Sequence, residues 1–332
     1  MRKRTRYSLL LMLALMAALI VVIILRKAAP PEVARLLPES DAIVYANLRP
    51  IRAVTHFDRT PVNRAPEYQH FVNATGIVPE RDLDSAAFAL HRMDDPNGPN
   101  GPVGYSEVFE ARFDGERLTR YLASIAVAKE TYASRDIYTI PISDGSHTRP
   151  LRVAQLGYDT IAASNMPTPE QIHSILDRYR ASASPFSGSS LLSARFHEVP
   201  AFSSAWAIGH IGLPFSDRGY ISIFGLQLPL SEDTTFVASL RFLGTLRLRV
   251  EQISPTEADS TRTTGSLIAL LALLKSVQQT QAAIQPNNSD PSFRVLIDSA
   301  KIEQHKDRAV LTANIPLDLI KKLTTPTPPL AP

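Results

Sequence analysis

Seventeen consecutive apolar residues, 9–25, follow directly on the basic cluster Arg2, Lys3, Arg4 and Arg6, and no other feature restricts the chain as strongly. As an α-helix this run rises about 25 Å at ~1.5 Å per residue, slightly short of a ~30 Å hydrocarbon core. Tyr7, Ser8 and snorkelling Arg26 and Lys27 can supply the remainder. Four basic residues precede the run and two follow it, a bias that holds the N-terminus in the cytoplasm and sends the rest outside. A cleaved signal peptide needs small residues one and three positions before the cut. Cutting after Ala29 puts Lys27 at the third position back, and cutting after Ala28 puts Arg26 there. Residues 1–27 therefore read as an uncleaved, single-pass signal anchor of the cell membrane. The lipid bilayer is the expected partner of residues 9–25, and the remainder is placed outside the cell membrane, on the periplasmic face if the cell is Gram-negative.

The formal charge of +3 invites a nucleic-acid reading, but the excess belongs to this leading segment. Setting its six Lys and Arg aside leaves 29 basic against 32 acidic residues, so the exported part is mildly acidic. It has no polybasic patch for a phosphate backbone, and no nucleic-acid partner is expected. The chain contains no cysteine, so burial alone must stabilise the remaining residues, as in a bacterial exported protein rather than a eukaryotic secretory one.

Beyond a spacer at 28–33, strand patterns at 42–48, 86–90, 108–113, 136–141, 151–156 and 160–163 are punctuated by helix patterns at 50–57, 66–75, 114–128 and 168–179. Asp114 is placed to cap the third of these helices. Thr168, Pro169 and Gln171 form a capping-box arrangement before the fourth. The polar stretch 184–190 (SPFSGSS) is the candidate linker between a first lobe, 34–183, and a second, 191–323. The second opens with a short helix at 191–197, followed by strands at 204–211, 220–224, 234–242 and 245–253, the last two joined at Leu243-Gly244. A long helix at 256–284 has an apolar centre, 267–274, far too short to span a bilayer, and is expected to be buried. Strands at 300–304 and 308–313 and a helix at 317–323 lead to the Pro-rich tail 324–332, read as disordered.

This order, without regular βαβ alternation, predicts an α+β class: an N-terminal transmembrane helix followed by a mainly antiparallel-sheet ectodomain. Residues 108–122 and 310–323 share a pattern of strand, polar turn and amphipathic helix, which suggests that the halves are two related lobes.

Signals for chemistry are sparse. Asp82-Leu83-Asp84 has the spacing of two carboxylates that hold a divalent cation against a sugar nucleotide, and these are the candidate catalytic residues. A functional pair of that kind ends an apolar strand, whereas here Glu80 and Arg81 precede it, which is how a solvated turn reads. Asp94, Asp95 and Asn97, with Asn100, offer oxygen ligands in one loop and are the candidate metal residues. The EF-hand order fails, because counting from Asp95 puts Pro99 at position five and Ser106 at position twelve. His56, His70, His91, His147, His173, His197, His210 and His305 show no zinc-binding spacing, and Asp144, Ser146 and His147 are too close together for a hydrolase triad. Neither a phosphate-binding loop nor a dinucleotide fingerprint occurs, and no cofactor is expected. Trp206 is placed in or beside the core.

The segments VARLLPESDAIVYANLRPIR (33–52), TGIVPERDLDSAAFAL (75–90) and VFEARFDGERLTRYL (108–122) resemble those of uncharacterised bacterial signal-anchored extracytoplasmic proteins. That resemblance implies class and compartment and no site. The expected function is a membrane-anchored binding, scaffold or envelope accessory module, with an envelope protein or a small molecule as partner. The alternative is an envelope enzyme, metal-dependent and acting on glycans.

Overall fold

The computed structural model describes residues 12, 16, 29–59, 64–98, 101–143, 148–181, 187–210, 220–223, 226–229, 234–284 and 291–319. Among these, no helix is long and apolar enough to cross a membrane, which corrects the expected N-terminal transmembrane helix. The physical reason is composition. The longest described helix, α8 (Glu257–Ile284), confines its apolar centre to residues 267–274 and carries Glu257, Asp259, Arg262 and Lys275 on either side of it. Of the leading apolar run only Met12 and Met16 are described, both helical and exposed.

The expected antiparallel sheet is present. Along the chain come α1 (Glu32–Arg35), β1 (Ala42–Asn47), α2 (Leu48–Thr55), α3 (Pro66–Thr75), α4 (Pro79–Asp82), β2 (Leu83–Arg92), β3 (Val103–Ala111) and α5 (Gly115–Ile125). There follow β4 (Ala128–Tyr132), β5 (Arg135–Ser143), β6 (Thr148–Gln155), β7 (Thr160–Ser164), α6 (Glu170–Arg180), α7 (Ser190–Arg195) and β8 (Ala205–His210). The remainder is β9 (Tyr220–Ile223), β10 (Leu226–Pro229), β11 (Thr235–Leu243), β12 (Thr245–Ile253), α8, α9 (Pro291–Ser299), β13 (Lys301–His305) and β14 (Arg308–Ile315). Twelve described strands form one sheet in the order β13-β14-β12-β11-β8-β1-β2-β3-β7-β6-β5-β4, and β9 and β10 form a separate pair. Every ladder is antiparallel.

The strand order repeats. Reading outward from the middle, β1-β2-β3-β7-β6 in one direction matches β8-β11-β12-β14-β13 in the other. The two series meet where β1 pairs antiparallel with β8, Val44 opposite Ala207. An antiparallel junction between equivalent strands relates the two series by a two-fold axis normal to the sheet. The sequence segments 108–122 and 310–323 are not counterparts under this relation: β3 corresponds to β12, whereas β14 corresponds to β7. A shared strand-turn-helix pattern reports local chemistry, and strand order is set by pairing.

Local signals explain most elements. Asp114 caps α5 by accepting from the backbone N–H groups of Glu116 and Arg117. α2 starts two residues before the expected Pro50, because Asn47 accepts from Arg49 N–H, and a proline in the first turn loses no intrahelical bond. At α6 the anticipated capping box is absent: Pro169 occupies the cap position and makes no side-chain bond. β4 escapes a sequence reading because AKETY is an edge strand exposed along nearly its whole length, with no apolar alternation to reveal it. Its lysine and glutamate discourage pairing with a second chain.

One face of the sheet, the closed face, is covered by α1, α6 and α7. Ile43, Tyr45, Val108, Trp206 and Ile208 from the strands meet Leu36, Leu37, Ile172, Ile175, Leu176 and Leu192. Trp206 is in the core as expected, stacked on Tyr45 at 5.4 Å and meeting Phe196 edge-on at 5.4 Å. On the opposite face a smaller cluster lies under α5, where Leu118 and Leu122 pack on Tyr138, Val153 and Ala163. α8 approaches this same face from the other half, since Gln252 Nε2 donates to Thr263 Oγ1 at 3.3 Å. The expectation that α8 is a buried helix holds only near its start: Ser260, Thr263 and Thr264 are buried, while Ile268, Leu273 and Val277 are 46–49% exposed.

Candidate functional site

The acidic pair expected to hold a metal is occupied by arginines. Asp82 ends α4, where its Oδ2 accepts the backbone N–H of Val78 at 2.9 Å and the Arg81 guanidinium grips both carboxylate oxygens at 2.7 and 2.8 Å. Asp84 falls at the register shift between Leu83 and Ser85, a bulge that leaves it out of the β2–β3 ladder and re-aims its side chain. There it meets Arg52 at 3.0 Å, Arg49 at 3.1 Å and Arg112 at 3.9 Å. Burial raises the pKa of Asp84, and the hydrogen bonds from Arg52 and Arg49 outweigh it, so the carboxyl sits below its ordinary value. Arg81 does the same for Asp82 against its burial. The corner ties α2 to β2: Arg52 also donates to the carbonyls of Glu80 and Leu83.

The loop at Asp94, Asp95 and Asn97 is a turn held by its own backbone, with Asn97 N–H donating to Asp95 Oδ1 at 3.1 Å and Gly98 N–H to the Asp95 carbonyl at 3.2 Å. Asn100 and the trio Asp144, Ser146 and His147 lie outside the described residues. The histidines are dispersed. His91 is buried and bonds Ser106 Oγ at 3.0 Å, while His173 stacks on Tyr132 at 3.9 Å and meets Glu130 at 3.0 Å. Among the described residues no three His, Asp or Glu side chains are grouped so as to hold a metal ion.

The distinctive surface lies elsewhere, at the centre of the sheet on the face opposite α1, α6 and α7. Between the zones covered by α5 and α8, the strands β1, β8, β11 and β12 bound a cavity of about 330 Å³. Its floor is small, Ala42, Ala207, Gly209 and Ala238, and its sides are Val44, Phe236 and Val250, with His210 at one end. Alternation places Ala42, Val44, Ala207, Gly209, Phe236, Ala238 and Val250 on one face, His210 being one residue out of that phase, and register aligns them: Val44 faces Ala207, Ala207 faces Ala238 and Ala238 faces Val250. Gly209 is required by close approach, since a Cβ there would stand 2.7 Å from the Ala42 Cβ. The result is a narrow apolar trough crossing four strands, about 14 Å long at ~4.8 Å per strand.

The same cross-strand row continues beyond the trough through Phe88, opposite Val44, to Glu107, opposite Phe88, and on to Ala163 beside α5. From Tyr138 on β5 to Leu311 on β14, Glu107 is the one ionisable group besides the tyrosine itself. Burial alone pushes its carboxyl up to about 7. Tyr105 and Phe109 flank it two residues away on the same strand and face, and Phe88 meets Phe109 edge-on at 5.8 Å.

Sequence reasoning missed both the trough and Glu107. The available signal was weak: small or apolar residues at alternate positions in AIVYAN and AWAIGH, and an acid between aromatics in YSEVFEA. Only strand register brings these segments side by side.

No family model matches the chain, and no curated protein does. Solved structures similar to it include three crystal forms of TP0453. Form III has a TM-score of 0.47 at 11% identity, covering 89% of this chain and 98% of that one. Form I has 0.44 at 10% identity over 90% and 98%, and form IV 0.43 at 10% over 89% and 96%.

Proposed function

We propose that this protein is a binding module, not a catalyst, acting outside the cytoplasm, and that its site is the apolar trough, which takes a single alkyl chain of an amphiphile. The trough itself carries this reading. A cavity of about 330 Å³ has room for about eleven groups of water size at ~30 Å³ each, and its walls offer almost nothing for water to hydrogen-bond. Small residues at Ala207, Gly209 and Ala238, set between the bulkier Val44 and Val250 of the outer strands, leave a depression drawn out along one cross-strand row, which suits a linear hydrocarbon. Each methylene moved from water into it contributes about 0.8 kcal/mol. The basic and apolar leader, residues 1–27, supports export, and the mild acid excess of the remainder supports a role away from nucleic acid.

The test is displacement of a fluorescent fatty-chain probe from the wild-type protein and from Ala238→Phe, whose ring would fill the floor of the trough. Excluding even two methylenes weakens binding about tenfold. Equal affinity in both proteins, with thermal unfolding showing the variant folded, would overturn the reading.

A further inference from the structure

We propose that the amphiphile carries a cationic ammonium head, which seats against Glu107 within the rings of Tyr105, Phe109 and Phe88 while its chain lies in the trough. This rests on the trough being the chain site. Glu107 and Val44 stand in one cross-strand row with only Phe88 between them, two strand spacings or about 9.6 Å apart. That is within reach of one molecule whose head and tail follow the row.

The chemistry of the position selects the head. Among the described residues none hydrogen-bonds or ion-pairs with Glu107, although the other acids in its neighbourhood are held: Glu110 by Arg49 at 2.8 Å and Asp84 by Arg52 at 3.0 Å. A half-buried carboxylate without a cation is costly, and here burial alone raises its pKa. Arg149 lies near enough to act on Tyr105, yet the only influence resolved on Glu107 is burial. An incoming ammonium would supply the missing charge. The rings at Tyr105 and Phe109, two positions either side on the same face, and at Phe88 across the ladder add the π-faces that bind alkylated ammonium groups in aromatic cages. A carboxylate or phosphate head would meet like charge at the same place.

Calorimetric titration with decyltrimethylammonium, decanol and decanoate, each below its micellar concentration and at about pH 8, separates the possibilities. The expected order is ammonium first, the alcohol about tenfold weaker and the carboxylate weakest. Glu107→Gln should erase the ammonium preference, bringing the ammonium to the affinity of decanol, while Ala238→Phe should weaken all three. Chain binding with no head preference, or a preference that survives Glu107→Gln, would overturn this inference and leave the trough reading in place. Absence of binding by all three ligands would overturn both.

Discussion

Glu107 lies directly opposite Phe88 in the β3–β2 ladder, a carboxyl set against an aromatic ring on the sheet face where the apolar trough begins. Its neighbours on β3, Ser106 and Val108, point to the closed face and are fully buried. A single residue of register therefore separates the core from the open row, and the charge stands on the open side.

This position carries a stability signature. A carboxyl whose folded pKa is about 7, above its ordinary 4.5, disfavours the folded state above that value, and the penalty fades as pH falls from about 7 to 4.5. Glu107→Gln is expected to stabilise the protein by about 1–3 kcal/mol near pH 8. The gain should vanish near pH 4.5, as read by urea unfolding at both values.

His91 behaves in the opposite sense. Its Nε2 meets Ser106 Oγ at 3.0 Å, and Ser106 meets Ser164 at 3.0 Å, all three buried on the closed face. Burial lowers the imidazole pKa and Asp41 only partly restores it, so the folded protein holds His91 neutral. Its contribution is therefore present above the ordinary pKa of 6.5 and is lost as pH falls below it. His91→Gln should remove this acid-side loss while costing about 1 kcal/mol at neutral pH. A melting temperature followed from pH 8 to 5 in both proteins checks it.

Arg52 is the key to the acidic corner. Its side chain is 13% exposed and that of Asp84 12%, and the guanidinium serves one carboxylate and two carbonyls. Arg52→Met should destabilise by about 3–5 kcal/mol, because Asp84 loses its least exposed partner. Asp84→Asn should cost less. Because the Asp84 pKa is lowered, its contribution is present above the ordinary value of 3.8 and disappears as pH falls through the lower folded one. Unfolding curves near pH 7 and pH 3 test both.

At the trough floor, Gly209→Ala should destabilise by about 1–3 kcal/mol, since the new methyl would stand 2.7 Å from Ala42 Cβ and the central strands would have to part. Gly244→Ala serves as a control: a Cβ there has open space, and only its φ of 79° opposes the change. Chemical unfolding of the two variants should rank Gly209→Ala as the more damaging.

Elements with local determinants were legible. α3 spans Pro66–Thr75 and β12 is Thr245–Ile253, each with the bounds the sequence suggests. Of the candidate site little was legible. Asp82 and Asp84 stand out in the sequence because two acids at that spacing are conspicuous, but the arginines that occupy them come from residues 49, 52, 81 and 112. α8 misled in the same way, because an apolar run says that a helix could be buried and not which turns reach the sheet.

The sequence by itself determined the alternation of strands and helices, the antiparallel class, the cap at Asp114, and the confinement of the positive charge excess to the first 27 residues. Each depends on side chains acting within a turn or two of themselves. Only the tertiary structure decided that β1 pairs with β8, that the two series of strands meet at that junction, and that Val44, Ala207, Ala238 and Val250 share one row with Glu107 at its far side. Those are relations between segments up to about two hundred residues apart. Ladder register creates them, and shifting it by one residue would exchange the trough for the core.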